Sequence, residues 1–423
     1  MGEHQSGNMD AFAGDLSKLW SLHDRPFLHH LTWDWWWWLV MLEDEGGNPS
    51  GKQLMILWST KDNPLVEVNQ DAWEPNGRPG LDEHGALNID GMVCAWWYDG
   101  KVMHEPLVAE KCTILSMPDT HPAWPHRKIS GDDESGFSQA GEQEISQGGG
   151  AVIPLLDQDL SMGLTSDRKQ FWLNIERTGL VDSAKSNQKL PSLFKLKMTP
   201  SSSVMSTAKH ATATYAADMG YDILRLHGCN VSGTIDDLQV AGTAYFQKVK
   251  VQAPSVPWYW GVLHLSDGSY IDWFLPHASP TLTARDARPW KKRDIAHIAL
   301  SQGGLFHDAS RNRSEKFSKV TVSKRASESV EGKHSHNPGA PLPVFDIKMW
   351  NGRCKIEIEA TAVDRANWRF DQPTRGGLTS HLTYNEYPLN VKRIRITDEF
   401  GTRSRSDFDW IRGNAEHAWG LLH

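Results

Sequence analysis

Polar and apolar residues alternate with a period of two along much of this chain. The segments KVKVQA (248–253), CKIEIEATAV (354–363) and VKRIRITD (391–398) all show it. That period marks half-buried strands. GGLTSHLTYNEY (376–387) is rich in strand formers, and residues 286–304 form the best helical window. Short strands between Gly, Pro, Asn and Asp turns predict an all-β fold, a sandwich or barrel with few short helices. In WWYDGKVMHEPL (96–107), Asp99-Gly100 predicts a hairpin turn. Residues 128–150, 199–214 and 323–343 read as surface loops. The first is acidic and glycine-rich, and is expected to be a disordered insertion.

The apolar run LTWDWWWWLVML (31–42) breaks the alternation. It is about ten apolar residues long, and a membrane-spanning helix needs roughly twice that. As a strand, Trp33, Trp35 and Trp37 share one face, and Trp36 and Trp38 share the other. Both faces are apolar, so both should be covered, one by another sheet and the other by a core or a ligand.

This run has an echo. WWWWLVMLEDEGG (35–47) aligns with WYWGVLHLSDGS (258–269), placing Trp35 on Trp258, Trp37 on Trp260, Val40 on Leu263 and Leu42 on Leu265. Each then turns into a second apolar strand ending in aromatics. VAGTAYFQKV (240–249) and IRGNAEHAWG (411–420) share a G-x-A spacing. An internal duplication accounts for both echoes in the same order. The predicted organisation is a tail over 1–30, a first β domain over 31–254 and a second over 255–423.

The stretch GTIDDLQVAGTAYFQK, followed by PSVPWYWGVLHLSDGSYIDWF, resembles the two-domain lipocalin-like proteins related to carotenoid 1,2-hydratase. That group includes kievitone hydratase and lipocalin-like Diels–Alderases. The resemblance implies two packed lipocalin-like β-barrel or sandwich halves, an apolar ligand site, no metal and no organic cofactor. Family members usually carry an aspartate–histidine pair in the G-x-A-Y element, ending in tryptophan-glycine. The first copy here reads Tyr245-Phe246-Gln247-Lys248, without that pair. The second keeps Glu416-His417 and Trp419-Gly420.

Net charge is −8 and pI is about 6.2, which disfavours nucleic acid as a partner. Four dispersed cysteines without C-x-x-C spacing form neither a zinc framework nor a disulfide scaffold. With no signal-peptide pattern at the N-terminus, these thiols predict a cytoplasmic protein. No metal site is expected at His334–His336 or at His29-His30. Twenty tryptophans exceed ordinary usage and suit an aromatic wall for a polyene or isoprenoid. The expected partner is therefore a hydrophobic small molecule. Transient membrane-surface contact and oligomeric state stay open.

Asp272 interrupts the apolar YIDWF, and Glu416 lies in the second G-x-A element. A carboxyl among apolar neighbours should have a raised pKa, which alkene protonation requires. The candidate catalytic residues are Asp272 and Glu416 as acids, with His417 to orient water. Candidate substrate-binding residues are Trp36, Trp38, Trp97, Tyr98, His104, Trp258, Tyr259, Trp260 and Tyr384. Glu386 shares a strand face with Tyr384 and is an equally plausible wall or surface residue. The expected activity is alkene hydration or cyclisation. A pericyclase and a non-catalytic lipid carrier are the alternatives.

Overall fold

The computed structural model describes residues 11–22, 28–44, 47, 49–75, 80–118, 150–154, 159–165, 167–177, 190–215, 217–280, 296–327, 342–374 and 376–423. The fold is all-β, and the described residues contain no α-helix. The insertion expected to be disordered over 128–150 lies almost wholly outside the described residues, as do the histidines at 334–336.

The first half carries β1 (Thr32–Glu43), β2 (Pro49–Lys61), β3 (Val66–Val68), β4 (Asp71–Trp73), β5 (Gly80–Leu81), β6 (Leu87–Tyr98) and β7 (Met103–Pro118). It continues with β8 (Gly150–Pro154), β9 (Leu160–Leu164), β10 (Phe171–Glu176), β11 (Leu193–Pro200), β12 (Lys209–Thr214), β13 (Gly220–Ile235) and β14 (Leu238–Gln252). The order is β11-β10-β9-β8-β7-β6-β2-β1-β14-β13, and β11 also pairs with β13. The pairings therefore close into a ring, which leaves no free edge along it.

The second half carries β15 (Trp258–Leu265), β16 (Tyr270–Ala278), β17 (Ile298–Ala299), β18 (Gly303–Asp308), β19 (Arg313–Phe317), β20 (Lys319–Ala326) and β21 (Pro343–Trp350). After these come β22 (Lys355–Ala362), β23 (Ala366–Pro373), β24 (Thr379–Asp398), β25 (Gly401–Ser404) and β26 (Ile411–Leu421). They form a curled sheet ordered β19-β18-β16-β15-β26-β24-β22-β21-β20. The halves are interlocked. β3 and β4, from the first half of the sequence, extend the second sheet through the pairing of β3 with β23.

The two echoed hairpins occupy equivalent places. β1 lies between β2 and β14, as β15 lies between β16 and β26. The G-x-A glycines mark close strand approaches. A Cβ on Gly242 would stand 2.2 Å from the Met41 carbonyl oxygen, and one on Gly413 would stand 2.3 Å from Leu263 Cδ2. The hairpin turn expected at Asp99-Gly100 is present, with the Val102 N–H donating to Asp99 Oδ1 at 2.7 Å.

Several local expectations change. Residues 209–214 form β12 rather than a loop, paired along β13. Within the helical window, described residues 298–299 and 303–304 are strand. The N-terminal tail is not a simple appendage. Phe12, Leu16, Leu19 and Leu22 enter the core of the first ring. The Trp36 indole N–H donates to the Leu19 carbonyl at 2.7 Å, and Ser116 Oγ donates to the Trp20 carbonyl at 2.8 Å.

Strand parity then divides the tryptophan run. Trp36 and Trp38 point into the first ring, both fully buried, where Trp38 packs on Phe171 and Phe246. Burying a Trp in this way is worth several kcal/mol, since Trp→Ala in a core costs about 3–5 kcal/mol. Trp33, Trp35 and Trp37 point the other way, towards the second half.

Candidate functional site

The site lies where the outer face of the first ring meets one face of the second sheet. Cross-strand pairing builds a row on each. On the first, Arg225, Gln247, Trp37 and Leu57 stand side by side on β13, β14, β1 and β2. On the second, the row is Ala366, Glu386, Glu416, Trp260 and Phe274 on β23, β24, β26, β15 and β16. The rows meet through Trp37 and Trp260, whose rings cross edge to face at 5.3 Å. Tyr245 packs on both.

Contact between the two faces is incomplete. Trp35, Leu57, Trp258, Phe274 and Tyr384 project from central strands towards the opposite half, yet each keeps accessible surface. The partly open seam, lined by these aromatic side chains, is the candidate cleft.

Two polar clusters line it. In the first, Tyr384 bridges two glutamates. Its hydroxyl contacts Glu416 Oε1 at 2.7 Å and also hydrogen-bonds with Glu386 Oε1. The Trp96 indole N–H donates to Glu386 Oε2 at 2.8 Å, and the Trp258 indole N–H donates to Glu416 Oε2 at 2.8 Å. A hydroxyl has one proton to give. One carboxyl must therefore donate to Tyr384 while the other accepts from it. Satisfying every group requires a single proton shared by the pair, along the chain Glu386 Oε1, Tyr384 hydroxyl, Glu416 Oε1.

Electrostatics agrees. Burial, and then the facing Glu416 carboxylate, hold Glu386 well above the usual carboxylate range. Burial raises Glu416 to about 7, against the opposing effects of Trp258, Tyr384 and Arg225. At neutral pH the pair holds at least one acidic proton among indole rings, poised for proton transfer.

In the second cluster, His227 Nε2 and Asp272 Oδ2 are 2.9 Å apart across the two halves. Tyr270 stacks on His227 at 4.5 Å. The His227 carbonyl accepts from His264 Nε2 at 2.6 Å, and His264 Nδ1 contacts Thr243 Oγ1 at 2.9 Å. Burial depresses His227, and the Asp272 bond partly offsets this.

Some of the residues singled out from sequence meet here and others do not. Glu416, Asp272, Trp258, Trp260 and Tyr384 face the cleft, and Tyr98 packs in the same inter-half cluster. His417 and Tyr259 do not. Neighbouring residues on a strand point to opposite faces, so His417 turns away from Glu416 into the second half. There it stacks on Tyr259 at 4.5 Å. Trp36, Trp38 and Trp97 lie inside the first ring. His104 secures the β6–β7 hairpin through Asp99 Oδ2 at 2.9 Å.

Sequence reasoning passed over Arg225, His227, Trp37 and Trp96. The signal for the first two was legible. In DILRLHG, Arg225 and His227 interrupt an apolar strand at alternate positions. Among the described residues, no group of three or more His, Cys, Asp or Glu side chains is arranged to hold a metal ion. No described helix is long and apolar enough to cross a membrane.

No protein-family model matches the chain, and no curated sequence does. Solved structures similar to it include an AttH protein from Nitrosomonas europaea, at 13% identity and TM-score 0.47, covering 97% of this chain and 98% of that one. CghA with Sch210972 is similar at 8% identity and TM-score 0.47, covering 98% and 97%. Kievitone hydratase from Nectria haematococca is similar at 9% identity and TM-score 0.37, covering 99% and 94%.

Proposed function

We propose that the protein is an enzyme that protonates an alkene of a large apolar substrate, of isoprenoid or polyene type, held between its two sheets. The observation that carries this reading is the proton shared by Glu386 and Glu416 through Tyr384. Glu416 gives its proton to the less substituted alkene carbon. The π pair forms the new C–H bond, leaving a tertiary cation and a carboxylate. Trp258 and Trp260 flank the cation and lower its energy by roughly 0.5–2 kcal/mol per ring. Water adds and returns a proton to the carboxylate, giving hydration. Alternatively a second alkene adds and a neighbouring C–H proton is lost to the Glu416 carboxylate, giving cyclisation. The recovered proton is again shared between Glu416 and Glu386 through the Tyr384 hydroxyl. Asp272 is engaged by His227 and serves as the second candidate acid.

A pericyclase in the same cleft would need shape and hydrogen-bond donors but no acid. A carrier would need neither. Organic extraction of the purified protein and mass spectrometry identify co-purifying apolar compounds. Incubating these with the protein in D2O separates the three readings. Alkene protonation puts solvent deuterium on carbon, and Glu386→Gln/Glu416→Gln abolishes it. Conversion without deuterium would indicate a pericyclic reaction, and unchanged ligand a carrier. Either outcome would refute the acid mechanism.

A further inference from the structure

Arg225 is the one cationic side chain in the two facing rows, and its setting is unusual for a guanidinium. It projects from β13 towards the second sheet, in line with Gln247 and Trp37. It makes no ion pair with any carboxylate among the described residues, and its buried Nε has no hydrogen-bond partner. The nearby carboxylates are otherwise engaged, Asp272 by His227 and Glu416 by Trp258 and Tyr384. Arg225 lies within electrostatic reach of Tyr245, Asp272, Tyr221 and Tyr270, yet keeps accessible surface.

A second donor stands beside it. Tyr270 is fully buried, and its hydroxyl has no partner among the described residues. The Tyr245 hydroxyl, by contrast, is used, donating to Gln247 Oε1 at 3.3 Å and hydrogen-bonding with the Arg225 guanidinium. A guanidinium with no carboxylate partner and an unfilled Nε, beside an unpartnered phenol, leaves a desolvation cost that an anionic acceptor offsets. A planar oxyanion matches both, because the guanidinium fork binds such groups through two parallel N–H bonds.

We propose that Arg225, assisted by Tyr270, anchors an anionic head group, so that the substrate is an apolar polyene or isoprenoid chain ending in a carboxylate or comparably acidic enol. This rests on the cleft being the substrate site. It adds polarity to that reading: the head lies at Arg225 and the chain runs along Phe274 and Trp260 towards Glu416.

The test uses the full chain and two fluorescent probes, cis-parinaric acid and the alcohol of the same tetraene chain, titrated at neutral pH. The acid should bind about tenfold more tightly than the alcohol, as expected for one charge-assisted contact. Arg225→Met should reduce that ratio to about twofold or less by weakening only the acid, whereas Arg225→Lys should keep most of it. Trp260→Ala should weaken both probes together. Thermal melts confirm that each variant folds. Equal affinities in the wild type, or a preference surviving Arg225→Met, would overturn the assignment while leaving the apolar cleft intact. Failure of both probes to bind would overturn the cleft reading and the Arg225 assignment together.

Discussion

Replacing Glu416 by Gln should make the protein more stable at alkaline pH, and by a calculable amount. The group's pKa rises from 4.5 in the unfolded chain to about 7 in the fold. Between those values the native state binds the proton more tightly than the unfolded state. Stability is therefore lost as pH rises through that window. At about 1.4 kcal/mol per pKa unit, the loss is about 3 kcal/mol. Glutamine imitates the protonated acid in shape and keeps an acceptor for Trp258, but it never ionises. Buried histidines work in the opposite direction. His264 is lowered to about 4, and His227 and His417 are also depressed, so these groups favour folding as pH rises. They are present in both proteins and cancel in the difference. Urea denaturation of wild type and Glu416→Gln at about pH 5 and about pH 8 supplies that difference. It should move by roughly 2.5 kcal/mol in favour of the variant on going to the higher pH, since part of the loss has already occurred at about pH 5. A difference that stays constant would mean that the anion is well solvated, and the reasoning for a raised-pKa acid would collapse.

Three further outcomes are expected. Tyr384→Phe removes the hydroxyl joining the two glutamates, and solvent-deuterium incorporation should fall by about 10²-fold or more, read by mass spectrometry. Lys248 lies over the Trp36 ring and pairs with Asp34 at 3.3 Å inside the first ring. Lys248→Met removes this cation from a buried carboxylate and should cost roughly 3–5 kcal/mol. Adding Asp34→Asn should recover much of it in a double-mutant cycle, and additive losses would deny the pairing. Leu19→Ala should cost about 2–5 kcal/mol in urea denaturation, because Leu19 is fully buried beneath Trp36. A change within about 0.5 kcal/mol would mean that the tail is dispensable.

Class and architecture were readable because they depend on local periodicity. The site was only half readable because it depends on which faces meet. Period two separates Trp36 and Trp38 from Trp33, Trp35 and Trp37, but it does not say what covers each set. The even set was taken for the ligand wall, yet the ring closed over it with help from Phe12, Leu16 and Leu19. Their spacing reads as helical, but they lie in a turn-rich stretch. His417 was within reach of better reasoning. Beside Glu416 on one strand, it could not share its face. Lys248 shows the reverse case. The first copy lacks the family's aspartate–histidine pair, yet its Lys248 pairs with Asp34 inside the ring.

The glutamate pair exposes the deeper limit. Glu386 and Glu416 are thirty residues apart, on neighbouring antiparallel strands whose register puts them opposite each other. Two like charges opposite each other on a pair of strands normally destabilise the ladder. From sequence alone such a pair therefore looks unfavourable, and nothing local signals that a third residue will join it. Only the register brings Tyr384 within reach of both and places an indole N–H on the far oxygen of each. Burial of both carboxyls, with the facing charge added for Glu386, is what holds a proton on the pair at neutral pH. The same burial lowers stability at high pH, where both carboxyls must ionise.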